Sequence, residues 1–283
     1  MSDIQVIRIG EANYPCSLMD LKDPPKQLYV KGNLDLLNRP KVSIVGTRDC
    51  TRYGQMIAKE IATACVTAGF VVVSGLAEGI DTAAHVGAKD ATIAVLGNGV
   101  EVYYPTSNKD LQEEIACKGL LVSEYPPTLH GGKTTFPQRN RIVAALSQVV
   151  VAVEADLRSG TLITVKMADA LKRKIYAVPG NINCYASQGT NALIANKTAE
   201  MITSISDFIT ALTGTIATKS IVKNKQISLE HQKILNILKT DEVHFDDIVG
   251  EASLSVAELS TLLTNMEMIG LIEKLPGNYF VAK

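Results

Sequence analysis

Tryptophan, paired cysteines and long apolar runs are all missing from this 283-residue sequence. Without tryptophan, and with only 5% aromatic residues, the core of the protein must be mainly aliphatic. The five cysteines are widely spaced and form no C-x-x-C pair, which argues against a structural zinc site and indicates a reduced, cytoplasmic protein. No apolar run approaches the roughly 20 residues of a membrane span, and the charged N-terminus is unlike a signal peptide. We therefore expect a cytoplasmic protein without a membrane partner.

The sequence also lacks a large net charge and the common cofactor-binding motifs. The formal net charge is −1, which excludes a globally basic nucleic-acid binder but allows a local basic face. A G-x-G-x-x-G dinucleotide turn is absent, because the GNG at residues 97–99 lacks the third glycine. A Walker A motif is absent too, since the nearest match, GGKT at residues 131–134, lacks the required spacing. We therefore expect no nucleotide cofactor and no metal.

From residue 41 onward, short apolar segments alternate with helical patterns. The apolar segments are KVSIVG, FVVVSG, TIAVLG, LLVSEY, QVVVAV and IYAVPG. Short apolar strands that alternate with helices predict a parallel sheet covered on both faces. We therefore predict a Rossmann-like α/β domain over residues 41–212. Residues 1–40 contain prolines that break any long helix, and they are predicted to form an N-terminal extension packed on this domain.

The C-terminal part of the chain has a different pattern. Residues 213–228 lack a consistent period and carry three lysines and no acid, which predicts a linker. Residues 229–283 show three helical patterns and a hairpin, which is a winged-helix arrangement. This region carries four cations and nine acids from residue 228 onward, and its third helix has Glu258 and Glu267 but no Lys or Arg. Because phosphate neutralisation dominates DNA affinity, we expect a protein contact or an autoinhibitory role instead.

The ends of the predicted strands are the expected binding edge. In open parallel sheets, ligands bind beyond the carboxyl ends of the strands. Arg48 follows the first of these strands, and Ser159 and Gly160 precede a helix after the strand QVVVAV. Free backbone N–H groups at a helix N-terminus suit phosphate. We therefore predict phosphate contacts from these three residues.

The strongest nucleic-acid signal is the segment GKTTFPQRNR at residues 132–141, predicted to be a loop. Cations can neutralise phosphates and an aromatic ring can stack on a base, the two parts of single-strand binding. The predicted DNA contacts of this segment are Lys133, Phe136, Arg139, Asn140 and Arg141.

Alternatives remain open for several of these residues. Phe136 can instead pack in the core. One of the two arginines, Arg139 or Arg141, is expected to be structural and to pair with Glu124 or Glu154. Glu154 can be either a catalytic carboxylate or a structural one that holds the basic loop in place, and the structural role is favoured.

A second acidic position, Asp81, shares a predicted helix face with His85 four residues later. Metal or acid–base chemistry is conceivable for such a pair, but no third ligand is evident nearby. A loop brace or helix cap is therefore the favoured interpretation of Asp81.

Taken in order, several segments resemble the DNA-processing protein A (DprA/Smf) family. They are VGTR (45–48), SGLAEGIDTAAH (74–85), TIAVLGNGVEVYYP (92–105), SEYPP (123–127), FPQRNRIVAALS (136–147), VEADLRSGTLIT (153–164), AVPGNI (177–182) and SQGTNALI (187–194). The tail resembles the winged-helix domain that many members carry. One departure is NKTA at residues 196–199, where the family usually has a Gly-Ala pair.

The resemblance implies a Rossmann-like domain that binds single-stranded DNA, forms a homodimer and loads the RecA recombinase in natural transformation. It carries DNA contact over to Arg48, Lys133 and Phe136, and it places Arg139 and Arg141 in the FPxRNR motif. No catalytic activity is implied. We therefore expect a recombination mediator that protects incoming single-stranded DNA, with affinity that depends on two pockets of a dimer.

Two other functions are compatible with parts of the sequence, a nucleotide-hydrolysing enzyme and a transcription regulator. Glu154 and the Ser-Gly-Thr at residues 159–161 are similar to the nucleotide-hydrolysing lysine-decarboxylase-like (LOG) family, but that family's paired glycine motif before Gly-Thr is absent. The winged helix alone would suit a transcription regulator, which duplex binding by the isolated tail would support.

Overall fold

The computed structural model describes residues 3–214, 229–238, 243–252, 254–268 and 271–282. It divides into two compact units, Met1–Ile216 and Ala217–Lys283. Most of the predicted linker, residues 215–228, lies outside the described residues. Within the described ranges, no helix is both long enough and apolar enough to cross a membrane.

A single mixed sheet organises the larger unit, and its described strands number nine. The strands are β1 (Gln5–Arg8), β2 (Gln27–Gly32), β3 (Lys41–Val45), β4 (Val71–Ser74), β5 (Thr92–Leu96), β6 (Leu120–Ser123), β7 (Val149–Ala152), β8 (Lys174–Ala177) and β9 (Glu200–Met201). Their spatial order is β1-β2-β6-β5-β4-β3-β7-β8-β9. From β6 to β9 every pair is parallel, whereas β1 and β2 add an antiparallel edge next to β6. The N-terminal residues are thus part of the sheet itself.

Helices cover both faces of this sheet. They are α1 (Arg52–Thr67), α2 (Ile80–Ala88), α3 (Lys109–Lys118), α4 (Thr135–Leu146), α5 (Thr161–Ala170), α6 (Gln188–Ala195) and α7 (Ile205–Gly214). One core layer joins α1, α2 and α7 to alternate strand residues such as Val42 and Ile44. The other joins α4 and α5 to the intervening residues, such as Val45. Because β3, β4 and β7 are buried on both faces, they are continuous Val-rich runs and not alternating ones.

The chain reverses its winding direction between β3 and β7. From β3 the strands proceed to β4, β5 and β6 on one side, while β7, β8 and β9 continue on the other. At such a switch point the turns that leave two neighbouring strands diverge, which opens a crevice at the carboxyl edge. The fold therefore places a ligand crevice between the turns after β3 and β7.

The smaller unit consists of α8 (Leu229–Ile237), β10 (Val243–His244), α9 (Phe245–Ala252), α10 (Val256–Met268), β11 (Ile272–Leu275) and β12 (Tyr279–Ala282). Its three strands pair in the order β10-β12-β11 around a core that includes Ile234, Leu263 and Phe280. The hairpin of β11 and β12 is the predicted wing. The two-residue strand β10 was not predicted, because two residues are too few to show a period. The predicted fold class, a Rossmann-like domain followed by a winged helix, is confirmed.

Candidate functional site

A cavity of about 390 Å³ lies at the switch point of the large sheet. Its walls are the turn after β3, the turn after β4, the start of α4 and the start of α5. The polar and glycine residues that line it are Gly46, Thr47, Arg48, Asp49, Gly75, Asp81, Arg139, Asn140, Asp156, Ser159, Gly160, Thr161 and Thr164. This volume is within the usual range for a small-molecule site.

The turn that carries Arg48 is clamped by Glu154. The buried Glu154 carboxylate accepts hydrogen bonds from the backbone N–H of Thr51 at 2.8 Å and from its Oγ1 at 2.5 Å. The backbone carbonyl of Glu154 also accepts from the N–H of Thr47 at 2.8 Å. Glu154 therefore has a structural role, as predicted, but the predicted partner was wrong. Its carboxylate holds Thr51 and not the segment around Arg139 and Arg141. Both carboxylate oxygens bond to Thr51, which leaves Glu154 poorly placed to act as a catalyst.

Asp81 braces the neighbouring turn, as predicted. Its Oδ2 accepts from the N–H of Gly75 at 3.1 Å and from that of Ala77 at 3.4 Å. Burial raises the pKa of Asp81, and the guanidinium of Arg139 lowers it in partial opposition. His85 follows one helical turn later, and its Nδ1 lies 2.7 Å from the hydroxyl oxygen of Thr92. Burial lowers the pKa of His85 to about 3. The pair therefore holds structure in place, and His85 is neutral at physiological pH.

The start of α5 offers an open anion position. Ser159 Oγ accepts from the Thr161 N–H at 3.2 Å and orders the first turn of the helix. Gly160, at the N-cap, has an ordinary φ of −59°, so the backbone does not require glycine there. A side chain added at Gly160 would meet no heavy atom within 4 Å. The surface beside Gly160 is thus open, although the N–H groups of residues 159 and 161–163 already bond to acceptors within the turn. The positive end of the helix dipole favours a negative ligand there.

The predicted basic loop is in fact helical from Thr135 onward. Phe136, Arg139, Asn140 and Arg141 all lie in the first two turns of α4. Pro137 is compatible with this because it occupies the first turn, where a backbone N–H has no partner within the helix. Helical spacing puts residues 136, 139 and 140 on one face and turns residue 141 away from them.

Arg139 is the buried cation of the site, with only 6% of its surface exposed. Its Nη1 donates to the carbonyl oxygens of Gly75, at 2.5 Å, and of Val95. Its Nε donates to Oδ1 of Asn140 at 3.2 Å. Burial lowers the pKa of Arg139 and the Asp81 carboxylate raises it. Because an arginine starts from so high a pKa, it stays charged and supplies a fixed positive charge to the cavity.

Arg141 has a structural partner. Its Nη2 lies 2.6 Å from Oε1 of Glu124, and both side chains are largely buried. This contact ties α4 to the end of β6. Arg141 does not line the cavity. Both arginines are therefore held by protein contacts, but Arg139 is the one that faces the crevice.

Phe136 is half-buried and packs against an aromatic partner that sequence reasoning missed. Its ring stacks on Tyr104 with 4.8 Å between centroids and 29° between planes. Glycines 97 and 131 give it room, since a Cβ at Gly97 would lie 2.5 Å from the ring and one at Gly131 would lie 2.8 Å from it. Phe136 and Tyr104 line a small cavity of about 40 Å³ together with Arg48. The signal in the sequence was the pair of adjacent tyrosines, Tyr103 and Tyr104, directly before Pro105.

Lys133 lies in the turn immediately before α4 and is exposed. The turn is ordered by Thr135, whose Oγ1 accepts from the Gly132 N–H at 2.8 Å. Lys133 lines neither of the two cavities described above. The structure therefore brings together six of the predicted residues and leaves Lys133 and Arg141 outside. Those that line the two cavities are Arg48, Phe136, Arg139, Asn140, Ser159 and Gly160.

The arrangement is an anion cradle beside an aromatic pair. A fixed guanidinium, an exposed arginine and a helix N-terminus converge on one crevice. Across the described residues, no group of three or more His, Cys, Asp or Glu side chains is arranged to hold a metal ion. A doubly wound α/β unit with such a crevice, followed by a winged helix, is an architecture that many nucleotide- and nucleic-acid-binding proteins share.

Comparison with known proteins narrows the class to one family. Residues 5–213 match the family model described as DNA recombination-mediator protein A. Residues 224–278 match the DprA winged helix domain. The chain therefore belongs to the DNA recombination-mediator protein A family, and the resemblance to the DprA/Smf family is confirmed.

Individual relatives agree with this assignment. Protein Smf of Synechocystis is 33% identical over 96% of this chain and 79% of its own length. The DNA processing protein DprA of Streptococcus pneumoniae is 43% identical over 69% of this chain and 70% of its own length. The solved structure of the Streptococcus pneumoniae protein matches with a TM-score of 0.70 and 41% identity, covering 73% of this chain and 74% of that one. A structure of DNA processing protein A from Helicobacter pylori, described for its single-stranded DNA binding mode, has a TM-score of 0.70 and 37% identity. It covers 76% of this chain and 99% of that one.

Proposed function

We propose that this chain binds single-stranded DNA without regard to sequence and acts as a recombination mediator. The observation that carries the proposal is that Arg48 lines both the large crevice and the small cavity that contains Phe136. A cation for a phosphate and an aromatic ring for a base thus lie side by side. This is the combination that single-strand binding needs.

The phosphate contacts come from three directions. Arg48 reaches from the clamped turn after β3, and Arg139 provides charge from below. The N-terminus of α5 at Gly160 adds the positive end of its helix dipole. Lys133, on the exposed turn before α4, extends the cationic path along the strand. Because these groups recognise the backbone and not base edges, binding is independent of sequence.

A single strand suits this site better than a duplex. Phe136 can stack only on a base that is not already stacked and paired within a double helix. The crevice is narrow and concave, whereas a duplex presents its phosphates on a broad convex surface. We therefore expect single-stranded DNA to bind more tightly than the duplex of the same sequence.

The wider role rests on the family and on the relatives. The Helicobacter pylori relative is described for its single-stranded DNA binding mode, and the matched model is that of a recombination mediator. We propose that the chain acts as a homodimer, because two linked pockets raise affinity for one strand by avidity. In this role it protects incoming single-stranded DNA and loads RecA recombinase during natural transformation.

The test is the salt dependence of DNA binding, followed by fluorescence anisotropy. Each lost phosphate contact should reduce the slope of log affinity against log salt by about 0.7 for a single strand. Arg48→Ala and Lys133→Ala should each weaken binding and flatten the slope. The matched control is Lys118→Ala, which removes the same charge from an exposed side chain at the end of α3. Because α3 ends just before β6 begins, Lys118 lies at the opposite edge of the sheet. An unchanged slope in both site variants would refute the phosphate assignment.

We expect no nucleotide hydrolysis from this crevice. A nucleotide-hydrolysing enzyme would need Glu154 as a general acid or base, yet both of its carboxylate oxygens bond to Thr51. Incubation with nucleoside monophosphates should release no free base. Release that disappears in Glu154→Gln would restore the enzyme interpretation.

A further inference from the structure

A second groove lies beyond the Tyr104–Phe136 pair. Its volume is about 610 Å³, and it is formed by two chain segments, one after β5 and one before α4. Its lining includes Glu101, Tyr103, Tyr104, Thr128, His130 and Gly131. None of the DNA-contact residues proposed above lines it.

The two segments that form this groove are fixed to each other by backbone hydrogen bonds. The N–H of Gly99 donates to the carbonyl of Leu129 at 2.8 Å, and the N–H of Glu101 donates to the carbonyl of Pro127 at 3.0 Å. Binding to a wall that is already ordered loses little conformational entropy. The groove is therefore preorganised for a ligand.

Two buried amide side chains support the first segment from below. Asn98 Nδ2 donates to the carbonyl of Val102 at 2.7 Å, and Gln112 Nε2 donates to the same oxygen at 3.1 Å. Both amides are 1% exposed. The backbone directly before Tyr103 is thus held from inside the protein, and the tyrosines stand on a rigid base.

The tyrosines remain exposed although the loop is ordered. Tyr103 is 39% exposed and Tyr104 is 47% exposed. Tyr103 is fixed by its hydroxyl, which donates to Glu113 Oε1 at 3.0 Å, and by Lys109, whose Nζ lies 5.2 Å from the ring centroid. Tyr104 stacks one face on Phe136. An ordered aromatic surface that the fold leaves exposed is typical of a binding site for a flat ligand.

Charge decides which part of a DNA strand this groove would accept. Its lining, all within the described residues, includes neither Lys nor Arg but does include Glu101, an exposed acidic residue. A phosphate would be repelled there, whereas a base would stack. A carboxylate accepts hydrogen bonds from an exocyclic amino group, as with the N4 amino group of cytosine. Thymine has no amino group, and its N3–H lies between two carbonyl oxygens that repel a carboxylate.

We propose that this groove binds one unpaired base of the strand, stacked on Tyr104, and that Glu101 favours cytosine and other amino-bearing bases over thymine. The inference rests on the proposed function, because the phosphate contacts must first hold the strand. Tyr104 and Gly131 join the two parts of the site, since both adjoin the Phe136 ring. A base on Tyr104 would extend an existing stack by one ring. The result is a modest base preference at one position on an otherwise sequence-independent site.

The test compares oligo(dC) with oligo(dT) of about 12 nucleotides, a length suited to one single-strand binding unit. The two oligonucleotides match in charge, length and ring size, and mildly alkaline buffer keeps oligo(dC) unfolded. The full-length protein should bind oligo(dC) about threefold to tenfold more tightly. Glu101→Gln should bring the ratio of the two affinities to about one, because an amide can donate to thymine as well as accept from cytosine. The ratio is insensitive to the fraction of active protein.

A second pair of variants examines the stacking contact. Tyr104→Ala should weaken binding of both oligonucleotides about tenfold, in line with the loss of one base stack. Tyr104→Phe keeps the ring and should retain wild-type affinity. A melting curve for each variant verifies folding, and Lys118→Ala again serves as the control. If Tyr104→Phe weakened binding as much as Tyr104→Ala, the loss would not come from stacking and the inference would fail.

Other outcomes separate this inference from the proposed function. Equal affinity of the wild-type protein for oligo(dC) and oligo(dT), or an unchanged ratio in Glu101→Gln, overturns the inference. Either result would indicate that the groove binds something other than a base, such as a protein surface. If Arg48→Ala and Lys133→Ala still weakened binding in that case, the proposed function would stand. Absence of single-stranded DNA binding by the wild-type protein would overturn both.

Discussion

A DNA-binding protein of this architecture can meet nucleic acid at two places, the carboxyl edge of the large sheet and helix α10 of the winged-helix unit. Only the sheet edge presents arginine side chains. The sheet edge has Arg48 exposed and Arg139 buried in the crevice. Helix α10 has no Lys or Arg in its sequence and carries Glu258 and Glu267. The lining of the crevice also includes three aspartates, so its two arginines, and not a basic net charge, distinguish it from the acidic winged-helix unit.

The start of α10 shows how far the second region is from a DNA reader. Glu258 Oε2 accepts from the N–H of Ser255 at 3.0 Å and from its hydroxyl at 2.6 Å, and these bonds lower its pKa. This is a capping box, and it places a carboxylate where a recognition helix would approach DNA. A winged-helix fold alone is thus weak evidence for duplex binding. A protein contact or an autoinhibitory role for this unit stays a prediction.

The largest expected effect concerns Arg139, the charge that the sheet edge buries. Arg139→Met removes the donor to Gly75 and Val95 and leaves the buried Asp81 without its counter-charge. We expect the free energy of unfolding to fall by about 3–5 kcal/mol, measured by urea denaturation. The control is Arg141→Met, whose partner Glu124 retains some solvent contact and whose loss should cost less. If both variants lost the same free energy of unfolding, the buried Arg139 would contribute no more to the stability of this edge than Arg141 does.

The next effect concerns Glu154. Glu154→Gln replaces an acceptor with an amide that faces the donors of Thr51, so we expect unfolding free energy to fall by about 1–3 kcal/mol. Because the clamp holds the turn of Arg48, affinity for single-stranded DNA should fall as well. Thr51→Val removes the hydroxyl that donates to Glu154 and that also accepts from the Gly54 N–H as the N-cap of α1, so it should cost a similar amount. Full stability with full DNA affinity in Glu154→Gln would show that the clamp is unimportant.

A third effect is a pH dependence that arises beneath the sheet edge. The folded protein keeps His85 neutral because its pKa is about 3, while the unfolded chain protonates near the ordinary value of 6.5. The unfolded state therefore binds more protons below that value, and stability must fall with falling pH. We expect a loss of about 1 kcal/mol between pH 7 and about pH 5.5 from this residue.

The variant His85→Gln isolates that contribution. Its own buried amide will lower stability at every pH, but the loss between neutral and mildly acidic pH should become smaller. Asp81 acts in the opposite direction, since its raised pKa makes stability fall as pH rises above its ordinary value of 3.8. Acid sensitivity identical to that of the wild type would show that other groups cause it.

The smallest expected effect concerns the winged-helix unit. Truncation after residue 228, which removes the winged-helix unit but keeps the three lysines of residues 213–228, should change single-stranded DNA affinity less than about twofold. The reason is that α10 offers no cation to a phosphate. Anisotropy at fixed salt measures this directly. A loss of tenfold or more would mean that the two regions cooperate in DNA binding and would end the contrast drawn here. A gain in affinity would support the autoinhibitory alternative.

The position of the crevice was predictable from the sequence, and the physical reason is simple. Val-rich strands that are buried on both faces stand out from their surroundings, and parallel strands all end on one edge. Arg48, Ser159 and Gly160 follow such strands, so their convergence on one crevice follows from topology. The brace at Asp81 was also accessible, because it joins residues only four and six apart in sequence.

Other features depend on packing between distant segments and leave no local pattern. The partner of Glu154 is Thr51, 103 residues away, and two arginines nearby were equally plausible on charge alone. The helical start of α4 was hidden because Pro137 and the polar residues around it show no apolar period before Ile142. The Tyr104–Phe136 stack joins the loop after β5 to the first turn of α4, and only the fold determines that these two segments meet.

Hydrogen–deuterium exchange of the full-length protein, with and without oligo(dT), tests the central claim most directly. Single-stranded DNA should slow exchange in three segments at the sheet edge, residues 46–51, 132–141 and 157–162. Residues 256–268 of α10 should exchange at the same rate in both states. Protection confined to α10, with no change at the sheet edge, would contradict the account.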